Sequence, residues 1–193
     1  VSKNGIVAKD YQSAYIMALK YVLPEGELRE RVKKNFVANI RKNGLQTGFF
    51  ATEHLLPLLV EAGEQKLAYD VLLQENCPGW MYQVKCGATT TWERWDALKP
   101  DGTVNEEKMA GSGENMVSFN HYAFGSVGEF YYQYILGIRL EKPGFAKLHF
   151  APYPDERLGG REDRERMAVR SGRLSYPACN AGGGGRAPSG WKK

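Results

Sequence analysis

The strongest constraint on this chain is a helical repeat between residues 27 and 43. Leu28, Val32, Phe36 and Ile40 recur every four residues, a spacing that puts them on one face of an α-helix. Glu27 and Glu30 in the first turn and Arg41 and Lys42 in the last complement the helix dipole, and Gly44 is placed to end the helix. A helix with one apolar stripe must bury it against another element, and the neighbouring sequence supplies candidates. From Gln12 to Leu23, Ala14, Met17, Ala18, Tyr21 and Val22 recur at helical spacing until Pro24 and Gly26 stop the pattern. A third helix, with Thr52 as its cap and Gly63 as its stop, is apolar nearly all round from Leu55 to Val60 and should be buried; Pro57 should lie in its first turn or kink it one turn in. A fourth, Gln65 to Glu75, follows at once, so the joint Ala62-Gly63-Glu64 makes the pair an αα-hairpin. A fifth runs from Asn120 to Leu136, where Gly125 and Gly128 each cost roughly 1 kcal/mol unless a neighbouring helix packs closely against them. Only Lys147 to Phe150, after Pro143-Gly144, reads as a strand. The body is therefore all-α, five helices in successive hairpins, too few to close an α-toroid.

Between the fourth and fifth helices lies the chain's most unusual chemistry. Gly79 to Asp96 holds three of the four tryptophans, and Glu93 stands between Trp92 and Trp95. The Gly87-Ala88 pair and the three threonines that follow it fit neither a regular helix nor an alternating strand, which points to a binding loop. The turn Lys99-Pro100-Asp101-Gly102 then opens a polar excursion over the surface to about Glu114.

Charge narrows the partner. The net charge of +4 belongs to the stretch Glu156 to Lys193, with nine Lys or Arg against four Asp or Glu; the rest carries 17 against 18. A neutral, aromatic-rich body argues against nucleic acid and for a neutral ligand such as a sugar. The tail, with its charge run Gly159 to Arg166 and its glycine-rich Ala181 to Gly190, has too little apolar sequence for a core and is expected to be disordered or weakly ordered. Cys77, Cys86 and Cys179 lack metal-ligand spacing and read as reduced thiols, so neither zinc nor a disulfide framework is expected. No run approaches eighteen apolar residues, so no membrane span is expected; the start, Val1 to Gly5, lacks a signal-peptide core, which favours the cytoplasm.

Three blocks carry a family resemblance: Thr47-Gly48-Phe49 with Leu55-Leu56-Pro57, Gly87 to Trp95, and Ser118 to Glu129. Together they resemble the bacterial α-L-rhamnosidases of glycoside hydrolase family 78, in the C-terminal half of the (α/α)6-barrel catalytic domain, over about Tyr11 to Pro154. The resemblance implies a partial barrel over 1–142, the start of a C-terminal β-domain over 143–157, holding the first strand of a missing β-sandwich, and a basic low-complexity tail over 158–193. It also implies hydrolysis of a terminal α-L-rhamnosyl residue with inversion and without a cofactor. Inversion needs two carboxyls, one protonating the leaving oxygen and one activating water, ~6.5–9.5 Å apart. The block match gives the base role to Glu93 and sets His121 at the sugar hydroxyls, with Trp92, Trp95, Trp80 and Tyr82 as further substrate contacts. The family's general acid lies in a motif with no equivalent in this chain; Glu53, Asp70 and Asp96 are nearby carboxylates, none in a matching motif. The chain by itself is accordingly expected to be inactive, a truncated or frame-shifted product that self-associates through exposed helix faces.

Plainer readings stand beside these. Glu93 could be a loop carboxylate paired with Arg94 or Lys85, His121 a capping or core histidine, and Trp80 and Tyr82 core aromatics. Tyr131, Tyr132 and Tyr134 read as helix packing. The alternative to a glycosidase is a non-catalytic helical carbohydrate-binding or scaffold module.

Overall fold

A computed structural model describes residues 1–106, 117–153 and 155–158, together with the backbone of a strand at Gly172–Ser175. The charge run 159–166, the glycine-rich 181–190, Cys179 and most of the second half of the polar excursion lie outside the described residues.

Helix α1 (Gln12–Met17) continues directly into a wider π turn (Ala18–Val22), and Tyr15, Ile16 and Leu19 bury its inner face. Helix α2 (Glu27–Asn43) buries Val32, Phe36 and Ile40, the stripe that its spacing demands. It ends at Gly44, whose φ of 67° suits a residue without a Cβ. Helix α3 (Phe49–Glu61) begins one turn earlier than its sequence suggests. Thr52 sits inside its first turns, with its hydroxyl donating to the Gly48 carbonyl at 2.8 Å and meeting the Thr47 hydroxyl at 2.9 Å. Pro57 consequently lies deeper than expected, just past the second turn. Leu55, Leu56, Leu58 and Leu59 are all buried, as all-round apolarity requires. After the Gly63 turn, helix α4 (Gln65–Leu73) returns along α3 as the second arm of the hairpin. Tyr15, Phe36, Leu59, Tyr69 and Phe130 are among the side chains that join these helices in one core.

The tryptophan-rich stretch contains a helix that its sequence did not announce. Helix α5 (Trp80–Lys85) is six residues long, too short to display a helical period. Gly79 starts it in extended backbone, and a Cβ there would meet the Asn76 carbonyl oxygen at 2.9 Å. Trp80 is 5% exposed and its indole N–H donates to the Phe124 carbonyl at 2.8 Å, so the short helix is bolted to the core through its first residue.

The last helical segment starts at Ala123 rather than Asn120 and changes pitch twice: a 3-10 turn (Ala123–Ser126), helix α6 (Val127–Phe130) and a π turn (Tyr131–Ile135). At Gly125 a Cβ would come within 3.3 Å of the Thr91 hydroxyl, so the close neighbour there is the loop and no helix; Gly128 has nothing within 4 Å.

A three-stranded antiparallel sheet follows, in the order β1 (Ile138–Lys142), β2 (Lys147–Phe150), β3 (Gly172–Ser175). Only β2 was expected. Strand β1 falls inside the stretch 1–142 read as helical, and β3 inside the tail. The sheet is tied to the helices at several points. The Tyr69 hydroxyl donates to the Tyr153 carbonyl, Arg139 lies over the rings of Tyr134 and Tyr153 at 4.7 and 5.0 Å, and Arg157 bridges Asp70 and Asp155 at 2.6 and 2.7 Å. Among the described residues no helix is long and apolar enough to cross a membrane.

Candidate active site

The threonine run explains itself once its partner is seen. Residues 90–93 lie alongside Ser118–His121: the Glu93 N–H donates to the Ser118 carbonyl at 2.9 Å and the His121 N–H to the Thr91 carbonyl at 2.9 Å. Two threonine hydroxyls add to the ladder, Thr90 to the Phe119 carbonyl at 2.5 Å and Thr91 to the His121 carbonyl at 2.7 Å. Extended, β-branched residues with a donor hydroxyl suit this edge-to-edge pairing. From the other side Gln83 of α5, 2% exposed, accepts from the Trp92 N–H at 3.3 Å and donates to the Arg94 carbonyl at 3.4 Å. Glu93 is thus held by backbone on both flanks.

Its carboxylate is held too. The Ser118 N–H donates to Oε2 at 2.8 Å, whereas Oε1 has no hydrogen-bond partner among the described residues. The two cations that could have neutralised Glu93 are engaged elsewhere. Lys85 pairs with Glu75 at 2.7 Å, and the Arg94 guanidinium forks onto Asp96, Nε to Oδ1 at 2.7 Å and Nη2 to Oδ2 at 2.8 Å. Asn105 adds a third donor to Asp96 at 2.7 Å. These hydrogen bonds, that from Arg94 foremost, hold the Asp96 carboxyl below the usual carboxylate range. Asp70 is lowered as well: burial pushes it up, and the hydrogen bonds from Arg157 and Lys66 overcome that. Neither is suited to keep a proton at neutral pH.

Glu93 and Trp95 line an open cleft of about 570 Å³ with Thr47, Gly48, Phe49 and Phe124. Each of the three sequence blocks therefore contributes to one cavity. Trp95 stacks on Phe124 with ring centroids 3.8 Å apart and meets Trp80 edge-on at 5.1 Å. His121 stacks between Phe49, at 4.9 Å, and Tyr122, at 5.4 Å, and its Nδ1 accepts from the Ala123 N–H at 3.3 Å. It reaches the cleft through Phe49 without lining it. Trp92, 3% exposed, packs edge-on against Phe119, and Trp80 is a core aromatic; neither lines the cleft. Tyr82 is buried, donates to the Leu98 carbonyl at 2.7 Å, and lines an adjoining cavity. Among the described residues no cluster of His, Cys, Asp or Glu could hold a metal ion.

The family model for the bacterial alpha-L-rhamnosidase 6 hairpin glycosidase domain matches residues 1–135. The chain belongs to that family. Its helical hairpins are part of the six-hairpin glycosidase domain, and solved rhamnosidases superimpose on it. The structure of the Streptomyces avermitilis alpha-L-rhamnosidase complexed with L-rhamnose matches with a TM-score of 0.71 at 39% identity, over 80% of this chain and 14% of that one. The Aspergillus terreus enzyme matches with a TM-score of 0.71 at 34% identity, over 80% and 17%. In sequence the chain is 40% identical over 156 residues to the alpha-L-rhamnosidase of Streptomyces avermitilis and 36% over 158 residues to that of an Alteromonas species. It spans only 14% and 16% of the length of those two rhamnosidases.

Sequence reasoning passed over Phe124, Gln83 and Ser118 as contributors to the site. Phe124 and Ser118 lie in the third of the three blocks, but Ser118 acts through its backbone and Gln83 through its burial, and neither property leaves a motif.

Proposed function

We propose that this chain carries the base half of a site that hydrolyses terminal α-L-rhamnosides with inversion. The convergence of three separate stretches, Thr47–Phe49, Glu93–Trp95 and Phe124, on one cleft carries this reading. Glu93 is its general base: Oε2 is oriented by the Ser118 N–H, and Oε1 is left to accept a proton from water. The stacked Trp95 and Phe124 offer apolar surface to the C–H face of a pyranose, and His121, stacked on Phe49, backs the cleft wall rather than meeting the sugar hydroxyls directly. The general acid is supplied from outside these residues, since Asp96 and Asp70 are each held as carboxylates by arginine and Glu53 sits beside His54 without lining the cleft. By itself the chain is expected to turn over no rhamnoside. The domain reading that goes with this is a partial barrel followed by the start of a β-domain.

The test is a chimera in which residues 1–153 replace the matching segment of the Streptomyces avermitilis enzyme. It should hydrolyse an aryl α-L-rhamnoside, with β-L-rhamnose as the first anomer seen by proton NMR. Glu93→Gln should lower kcat by about 10²- to 10⁴-fold. An active chimera indifferent to Glu93→Gln would remove the base assignment, and α-L-rhamnose as first product would remove inversion.

A further inference from the structure

Glu93 lies midway between two side chains that dock on the same distant segment. Thr91, two residues before it, and Trp95, two residues after it, both meet the stretch 121–125. Trp95 does so by stacking on Phe124 at 3.8 Å. Thr91 does so three times. Its carbonyl accepts from the His121 N–H at 2.9 Å, its hydroxyl donates to the His121 carbonyl at 2.7 Å, and its side chain faces Gly125.

That last contact accounts for the glycine. Gly125 sits in the 3-10 turn Ala123–Ser126 and its φ is not positive, so the backbone by itself would accept a residue with a Cβ. A Cβ there would stand 3.3 Å from the Thr91 hydroxyl oxygen and 3.8 Å from the Thr91 methyl carbon. Thr91 would have to give by a few tenths of an ångström, drawing its hydroxyl away from His121 and moving the backbone that leads into Glu93. Gly128, three residues on, is the internal contrast: a Cβ there has nothing within 4 Å.

We propose that Thr91 and Gly125 are a positioning pair for the candidate base. The inference rests on the rhamnoside reading of the cleft and adds to it a determinant of rate outside the cleft lining. Together with the Trp95–Phe124 stack, the pair fixes from both sides how far the Glu93 carboxylate stands from the aromatic wall. A sugar's affinity follows that wall, of Phe49, Trp95 and Phe124, whereas proton abstraction follows the distance from Oε1 to water. A shift of a few tenths of an ångström is therefore felt in the chemical step and little in binding.

The test is a double-mutant cycle in the chimera carrying residues 1–153, assayed on an aryl α-L-rhamnoside. Gly125→Ala should lower kcat by about 3- to 30-fold with KM held within about two-fold, and Gly128→Ala should leave both unchanged. Thr91→Ser, which keeps the hydroxyl, should retain more kcat than Thr91→Ala. In the Thr91→Ala background the new methyl at Gly125→Ala meets no side chain, so its further cost should fall below about two-fold. The same cost of Gly125→Ala in both backgrounds, or a loss that appears in KM with kcat intact, overturns the positioning role while leaving the rhamnoside reading in place. Should Gly125→Ala fail to fold, equal kcat in Thr91→Ser and Thr91→Ala overturns it instead. A chimera whose turnover is indifferent to Glu93→Gln removes the base assignment and the positioning pair with it.

Discussion

Replacing Gln83 with leucine should loosen the loop that carries Glu93, and the size of the effect follows from two bonds. The side chain is 2% exposed and cross-links Trp92 to Arg94, the residues on either side of the candidate base. Both contacts are long, 3.3 and 3.4 Å, so their intrinsic strength is at the low end. The larger loss is what they leave behind. Leucine fills similar space but strands the Trp92 N–H, buried with its 3%-exposed residue, at about 1–3 kcal/mol. Arg94 is half-buried, so its carbonyl can recover a hydrogen bond from water and adds less. The sum is about 2–3 kcal/mol, which in a chain of this length is a fall in Tm of about 5–10 °C. Thermal unfolding followed by near-UV circular dichroism, which reports the clustered tryptophans, measures it. Gln83→Glu is the informative companion: it keeps the acceptor for Trp92 but sets a buried carboxylate against the Arg94 carbonyl, so at neutral pH it should melt no higher than Gln83→Leu. A Gln83→Leu protein that melts within 1 °C of wild type would show that α5 does not hold the loop.

Asp155 and Asp70 both have lowered pKa values, Asp155 chiefly through its hydrogen bond from Arg157 and Asp70 through Arg157 and Lys66 against the opposing effect of burial. A depressed carboxylate contributes stability that is present above the unfolded-state pKa of about 3.9 and is lost as pH falls through the folded value. The denaturation midpoint should therefore hold from neutral pH to about 5 and drop below about 4, with a shallower drop in Arg157→Gln; parallel profiles would contradict the linkage. Self-association is the other expected behaviour. Tyr11, Met17 and Phe50 are exposed and line an apolar groove of about 390 Å³ at the start of α3, so size-exclusion chromatography with light scattering should give a dimer or larger; a compact monomer would count against it.

Helix α2 was legible because every signal agreed on its bounds: a four-residue apolar period, acidic first turn, basic last turn and glycines at both ends. Where one signal stood alone the reading slipped. Thr52 reads as a cap, yet its hydroxyl serves Gly48 from inside the helix. Strand β1 does alternate, but Ile138 and Leu140 are exposed while Arg139 turns toward Tyr134 and Tyr153, the reverse of the polarity by which a strand is usually recognised. Glu93 could be singled out from its flanking tryptophans. That only Trp95 of the named aromatics lines its cleft could not, because the sorting of Trp92 and Trp80 into the core depends on Phe119 and Phe124, contributed from much later in the chain.

The two-way pairing of Glu93 with Ser118 spans 25 residues of sequence. Because backbone from both ends of that interval is clasped at the carboxylate, the interval is a closed loop whose length is almost decoupled from where the carboxylate points. Doubling such a loop costs only about 0.6 kcal/mol in closure entropy. Insertions and deletions between Asp96 and Val117 can thus be accommodated while the carboxylate of Glu93 keeps its aim.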